Sequence, residues 1–234
     1  EEVVRRMTHY GLVALPVVDA QRRPIGEVSV DDALDVMEEE ATEDLFHLAG
    51  LDRDERVLSP PAQSVKRRLP WLFVNLGTAV LAASVVNLFQ SSIARLATLA
   101  VIMPMIAGQG GNTGTQTLTL FVRGLALGEL NRSTVWRAFG KELLVAFVNC
   151  LAIGIALGTI VYVWKHSLLL ALVAACAMGL NMIAAGIAGA LVPLVLRKLK
   201  FDPALGSAVI TTTVTDCCGF FFLLGLATLI ILHR

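Results

Sequence analysis

Five long apolar runs follow residue 69, and they restrict the fold more than any other feature of the chain. Crossing roughly 30 Å of hydrocarbon takes about 20 helical residues, because a helix satisfies its own backbone polar groups where no water is available. Runs of that length lie near 70–91, 96–122, 142–164, 168–196 and 204–232. The third and fourth are separated only by Trp164-Lys165-His166-Ser167, and tryptophan suits a membrane interface. The chain is 56% hydrophobic with mean hydropathy +0.71, above an ordinary soluble domain. The expected fold is an all-α polytopic membrane domain with five transmembrane helices over 69–234.

The first sixty residues belong to different surroundings. They carry fifteen acids against six bases, whereas residues 61–234 carry four acids against thirteen bases. Residues 1–49 read as a small α/β unit. A helix spans Glu1 to Tyr10, Ala14-Leu-Pro-Val-Val-Asp19 is a short strand, and a turn over Gln21–Gly26 leads to a second strand at Glu27–Val30. Asp31 or Asp32 is expected to cap the helix that follows, through about Leu48. Residues 50–68 form a charged, proline-containing linker ending in Lys66-Arg67-Arg68. Beginning at Glu1, the chain reads as a segment of something longer.

Orientation follows from the basic residues. One set of loops holds Lys66, Arg67, Arg68, Arg123, Arg132, Arg137, Lys141, Arg197, Lys198 and Lys200; the other holds Arg95, Lys165 and Arg234. Cytoplasmic loops retain Lys and Arg, so the first set and the N-terminal part are expected in the cytoplasm of a multi-pass protein of the cell (inner) membrane.

Asp216 is the sharpest chemical signal. It lies within Thr211-Thr-Thr-Val-Thr-Asp-Cys-Cys-Gly219, about 3 Å from the centre of the fifth run at helical rise. A charge at that depth costs about 3 kcal/mol on insertion scales. No Lys or Arg occupies the middle of another run, so a cation, a proton or a watery pore is needed. Thr212 and Thr213 lie one turn earlier on its face, and Gly219 three residues on leaves room for a close approach. In a membrane helix the usual use of a threonine hydroxyl is a bond to its own backbone.

The second run is too polar for a plain lipid-facing helix: Met103-Pro-Met-Ile-Ala-Gly-Gln-Gly-Gly-Asn-Thr-Gly-Thr-Gln116. Pro104 and the glycines predict irregular backbone beside protein or water. Asn112 and Gln116, four apart, offer amide oxygens to a cation's waters; the plain alternative is close helix packing with amides as glue. Asn75, Asn87, Asn149 and Asn181 read as single helix–helix hydrogen bonds. Asp202-Pro203 reads as the start of the last helix.

Asp31–Asp44 is dense in acids and contains no base, a field that repels itself unless cations or a basic partner screen it. The four cysteines sit in apolar stretches and read as packing residues. No nucleophile–base pair or zinc motif is present, which argues against an enzyme. The halves of opposite charge show no nucleic-acid-binding pattern.

These segments together resemble the MgtE family of magnesium channels and transporters. The resemblance rests on Ala14–Asp19, the acidic helix Val30–Asp44, Arg67-Arg-Leu-Pro-Trp-Leu72, Gly110-Gly-Asn-Thr-Gly114 and Thr215-Asp216 followed by Gly219. It implies that residues 1–49 are the second half of a CBS domain and that the stretch ending at Arg68 is a plug or connecting helix. It further implies a homodimer in the lipid bilayer with a central pore lined by the second and fifth spans. Asp216 of both subunits would hold hydrated Mg²⁺, and Asp32, Asp35, Glu40, Glu43 and Asp44 would sense cytosolic Mg²⁺. A proton-coupled carrier of divalent cations, with Asp216 as the proton site, is the alternative.

Overall fold

The computed structural model describes residues 2–131 and 133–232, so Glu1, Arg132, His233 and Arg234 lie outside the described residues. The N-terminal unit comprises α1 (Glu2–Tyr10), β1 (Ala14–Val18), β2 (Pro24–Ser29) and α2 (Val30–Leu48). The strands pair antiparallel, Ala14 opposite Ser29 and Val17 opposite Gly26. Asp19 closes their turn by accepting the amides of Gln21 and Arg23 at 2.9 and 2.8 Å. The Arg23 amide bond holds its carboxyl below the usual carboxylate range.

Helix α2 is capped two or three residues earlier than the expected Asp31 or Asp32. Ser29 is the N-cap, and Asp32 sits three residues on, completing a capping box. The Ser29 hydroxyl accepts from the Asp32 amide, while the Asp32 carboxylate takes the Ser29 amide at 2.8 Å. A serine that exchanges bonds with an acid at the third helical position satisfies two orphan amides, which neither aspartate would do by itself.

The membrane part is a set of long helices: α3 (Pro61–Leu88), the short α4 (Gln90–Arg95), α5 (Thr98–Ala126), α6 (Val135–Lys165), α7 (Leu168–Lys198) and α8 (Ser207–Ala227), which ends in a π-helical turn at Thr228–Leu232. Among the described residues, four helices are long and apolar enough to cross a membrane: Pro61–Leu88, Val135–Lys165, Leu168–Lys198 and Ser207–Ile231. With 29 residues, α5 has comparable length, but its glycines, amides and threonines dilute its hydropathy. His166 in the left-handed region ends α6, and Ser167 caps α7 by accepting the Leu170 amide at 3.3 Å.

Two expectations are corrected here. The α5 backbone is not irregular: one unbroken helix runs through Pro104 and all its glycines. The glycines are not breaks but contact points. A Cβ on Gly114 would meet Thr211 Cγ2 of α8 at 2.7 Å, and one on Gly189 of α7 would meet the Gly114 carbonyl at 2.5 Å. Nor does Asp202 cap the last helix. It accepts the Ala204 amide at 2.9 Å in the α7–α8 turn, and α8 begins five residues later behind Gly206.

Helix α7 is central, packed against α5, α6 and α8, and its residues from Leu170 to Met182 supply much of the apolar core with Ile102, Ile106, Leu223 and Leu224. Glu142 of α6 is buried against α5, accepting from Thr117 at 3.2 Å and pairing with Lys141 at 2.8 Å. Helix α3 packs against α8 and leaves Leu72, Phe73, Leu76 and Val80 exposed.

The N-terminal unit touches the membrane part at its Asp202 end. His47 of α2 meets the Asp202 carboxylate at 2.5 Å. The linker folds onto the start of α3, where buried Glu55 accepts from Ser64 at 2.6 Å and Arg68 at 2.8 Å. Those bonds, Ser64 first, hold Glu55 below the usual carboxylate range. The Trp71 indole lies between Gly50 and Gly206, close enough that a Cβ on either would overlap it.

Two outcomes follow. Gly206→Ala should lose about 1–3 kcal/mol through crowding against Trp71 in addition to its positive-φ strain. Gly128→Ala, with the same φ of 70° and open space around it, carries only the strain. Thermal unfolding of both variants in detergent separates the two, and equal losses would remove Trp71 from the account. For α2, the bond from Ser29 keeps the Asp32 carboxyl below its ordinary value. A depressed carboxylate contributes stability that is present above the ordinary value and is lost as pH falls through the folded one. Amide exchange at the start of α2 should therefore accelerate as pH falls below about 4. Ser29→Ala should already show weakened protection at neutral pH.

Candidate cation site

One face of α8 is spoken for. Thr211, Thr215, Gly219 and Leu223, four apart, are buried against α5 and α7. Asp216 lies next to that seam and is half-buried. Its side chain borders a cavity of about 470 Å³ between α8 and α3, lined also by Ala82, Val86, Asn87, Gln90 and Phe220. No hydrogen bond or ion pair reaches the Asp216 carboxylate among the described residues. Six waters around a divalent ion occupy about 180 Å³, so a hydrated ion fits the cavity.

The threonines behave as membrane-helix threonines do. Thr212 donates to the backbone carbonyls of Ala208 and Val209 at 3.0 and 3.1 Å, and Thr213 donates to Val209 at 2.6 Å. With the hydroxyl hydrogens committed, the oxygens remain as acceptors for the hydrogens of an ion's water shell. Gly219 is fully packed: a Cβ there would meet Asn181 Nδ2 at 2.8 Å and Ile106 Cγ2 at 3.1 Å. It admits a neighbouring helix rather than an ion.

Asn112 and Gln116 fall on the exposed side of α5, opposite the seam of Gly110, Gly114 and Thr117. With Gln109 and Thr119 they form a polar stripe at helical spacing. No hydrogen bond joins them to Asp216 among the described residues, but Gly111, next to Asn112, faces Thr212 at 4.0 Å from where its Cβ would be. The stripe therefore runs beside the carboxylate without closing on it within one chain.

Two lining residues were not expected at the site: Asn87, read from the sequence only as a helix–helix hydrogen bond, and Gln90. Asn87 and Gln90 stand at the cavity wall and are joined by a 2.6 Å bond between their amides. The run of small residues Ala79, Ala82 and Ala83, which holds α3 open beside Asp216, was the available hint.

The acids of α2 divide. Asp32 is engaged in the capping box, Asp35 and Glu40 are exposed, and Glu43 and Asp44 are half-buried. Glu43 stands 3.6 Å from His47 and 3.8 Å from Arg53, so α2 is screened at its C-terminal end. No three His, Cys, Asp or Glu side chains converge on a common point among the described residues. The cysteines are free, and Cys150 packs on Gly179 as a small apolar residue.

Comparison with known proteins gives the family of the chain. Residues 103–226, from within α5 to near the end of α8, match the family model MgtE, described as a divalent cation transporter. The chain is 37% identical over 233 residues to the magnesium transporter MgtE of Thermus thermophilus, covering 99% of this chain and 52% of the relative. It is 34% identical over 229 residues to that of Enterococcus faecalis, covering 98% and 50%. With the protein of the same name from Bacillus subtilis it shares 33% over 228 residues, covering 97% and 51%. The chain thus spans about half the length of these relatives. The match of residues 103–226, more than half of the chain, to this family model shows that the chain belongs to the MgtE family, described as divalent cation transporters.

Proposed function

We propose that the chain is the membrane pore of a Mg²⁺ importer, and that Asp216 holds the hydrated ion during passage. The observation that carries this reading is the Asp216 carboxylate, unpaired at membrane depth and open to a cavity roomy enough for a hydrated divalent ion. The relatives' name supports Mg²⁺ as the transported ion.

Magnitudes favour a divalent occupant. A carboxylate and a doubly charged ion about 5 Å apart, separated by one water, attract by about 7 kcal/mol at an effective dielectric near 20. That exceeds the roughly 3 kcal/mol cost of a charge at this depth. A monovalent ion gains about half as much and roughly breaks even with the same cost. Mg²⁺ sheds its water reluctantly, so a carboxylate, threonine oxygens and amides that work through the water shell suit it.

In this reading α5 is the fifth crossing, since its polar stripe needs water or protein rather than lipid. A second copy of the chain, related by a two-fold axis, would bring a second Asp216 and a second stripe to one pore. The basic loops put the N-terminal unit in the cytoplasm. That unit, residues 1–49, would be part of a CBS domain, residues 50–68 the connecting segment, and residues 69–234 the pore domain. Rising cytosolic Mg²⁺ would screen Asp35, Glu40, Glu43 and Asp44 and shift the unit toward a closed arrangement. Asp32, spent on the helix cap, would contribute least. The His47–Asp202 contact supports such coupling, because it joins α2 to the turn leading into α8.

Asp216→Asn should cut Mg²⁺ uptake into liposomes by about two orders of magnitude and abolish Mg²⁺-dependent growth, as expected when a charge partner worth about 3 kcal/mol is lost. Near-normal uptake would sink the proposal. The same vesicles, assayed with and without a pH gradient, decide the mode: uptake down the Mg²⁺ gradient without a proton gradient is expected, and strict dependence on one would make the protein a proton-coupled carrier.

A further inference from the structure

Asn181 sits on α7, the helix behind the candidate ion path, and is completely buried. Its Nδ2 donates to the Ile106 carbonyl of α5 at 2.9 Å. A carbonyl only accepts, so this bond settles which way the amide points. The slot it occupies is made by two glycines. A Cβ on Gly110 of α5 would fall 2.2 Å from Asn181 Nδ2, and one on Gly219 of α8 would fall 2.8 Å from the same atom. Gly219 is three residues beyond Asp216, and Gly110 is two residues before Asn112. One amide thus touches both helices that carry the candidate ion-facing groups.

We propose that Asn181 is a positioning residue: it sets the spacing and rotation of α5 against α8, and through them the affinity of the Asp216 site for a hydrated divalent cation. The proposal rests on the reading of Asp216 as the ion site. Asn181 Oδ1 is buried without a partner among the described residues. A residue needed only to fill the slot would not leave a dry acceptor, since a leucine of similar volume leaves none. Two features together, the directional bond to Ile106 and the contact with both glycines, do what an apolar filler cannot. The bond holds α5 along its axis, and the planar amide keeps the two helix backbones apart by its own thickness. Residues that orient ion ligands without touching the ion typically tune affinity about 10- to 100-fold.

The test uses the full chain reconstituted in liposomes, with Mg²⁺ uptake resolved into KM and maximal rate and with thermal unfolding recorded for each variant. Asn181→Ala should raise KM about 10- to 100-fold while changing the maximal rate much less. Gly110→Ala, whose methyl would displace the amide instead of deleting it, should also raise KM. Combining the two places the new methyl where Nδ2 was, and KM should return toward the wild-type value. Additive losses in the double variant would overturn the proposal. So would an unchanged KM in Asn181→Ala or, if that variant does not fold, an unchanged KM in Gly110→Ala. Asp216→Asn is run in parallel: if it loses uptake while Asn181→Ala matches wild type, only the positioning role fails, and if it transports normally, the ion-site reading itself fails.

Discussion

The membrane part depends on how closely α5, α7 and α8 approach one another. Lipid is as apolar as any helix surface, so helices in a membrane gain little from burying leucine. They gain from dispersion at short range and from hydrogen bonds that lipid cannot supply. The seam of Gly110, Gly114, Thr211, Thr215, Gly219 and Gly189 is built for that, with backbone atoms and methyl groups in contact where a single added carbon would overlap. Asn181 adds a directional bond from α7 to α5 within it. Because Thr211, Thr215 and Gly219 must face this seam, their neighbour Asp216 is turned out of it, toward the cavity beside α3.

This division of α8 into a packed face and an open one links stability to chemistry. The packed face has no room for an ion, and the open face makes no bond to the carboxylate among the described residues. The threonine hydroxyls serve the helix first and present only acceptor oxygens outward. On α5 the same logic operates: Gly110 and Gly114 face inward, while Asn112 and Gln116 face outward, leaving a polar stripe that one chain does not cover.

At the other end, contacts between the N-terminal unit and the membrane helices are few but placed at the entry to α8. Trp71 fills the space between Gly50 and Gly206, and His47 reaches Asp202. These contacts join α2 and the linker to the turn that leads into the Asp216 helix.

Hydropathy in the sequence was enough to locate the long helices, since length and apolarity are local properties, but not to bound them. Helix α3 begins at Pro61, inside the expected 50–68 linker and ahead of the expected 70, α6 at Val135 ahead of 142, and α8 at Ser207 after 204, because charged and polar turns extend a helix without adding apolarity. The depth of Asp216 and the absence of a basic partner in another run were equally legible. Local signals misled where two residues competed for one role. Ser29 took the cap that Asp31 or Asp32 was expected to hold, and Gly206 took the place expected for Asp202. The glycines of α5 looked like breaks because composition does not say whether a missing side chain loosens a helix or admits a neighbour. Only the tertiary structure decided that, along with which side of α8 packs, that Asn87 and Gln90 share a cavity with Asp216, and that Asn181 reaches both partner helices. These arrangements bring together residues far apart in the chain, such as Ala79 and Asp216 on one cavity wall, and no pattern along a single helix encodes them.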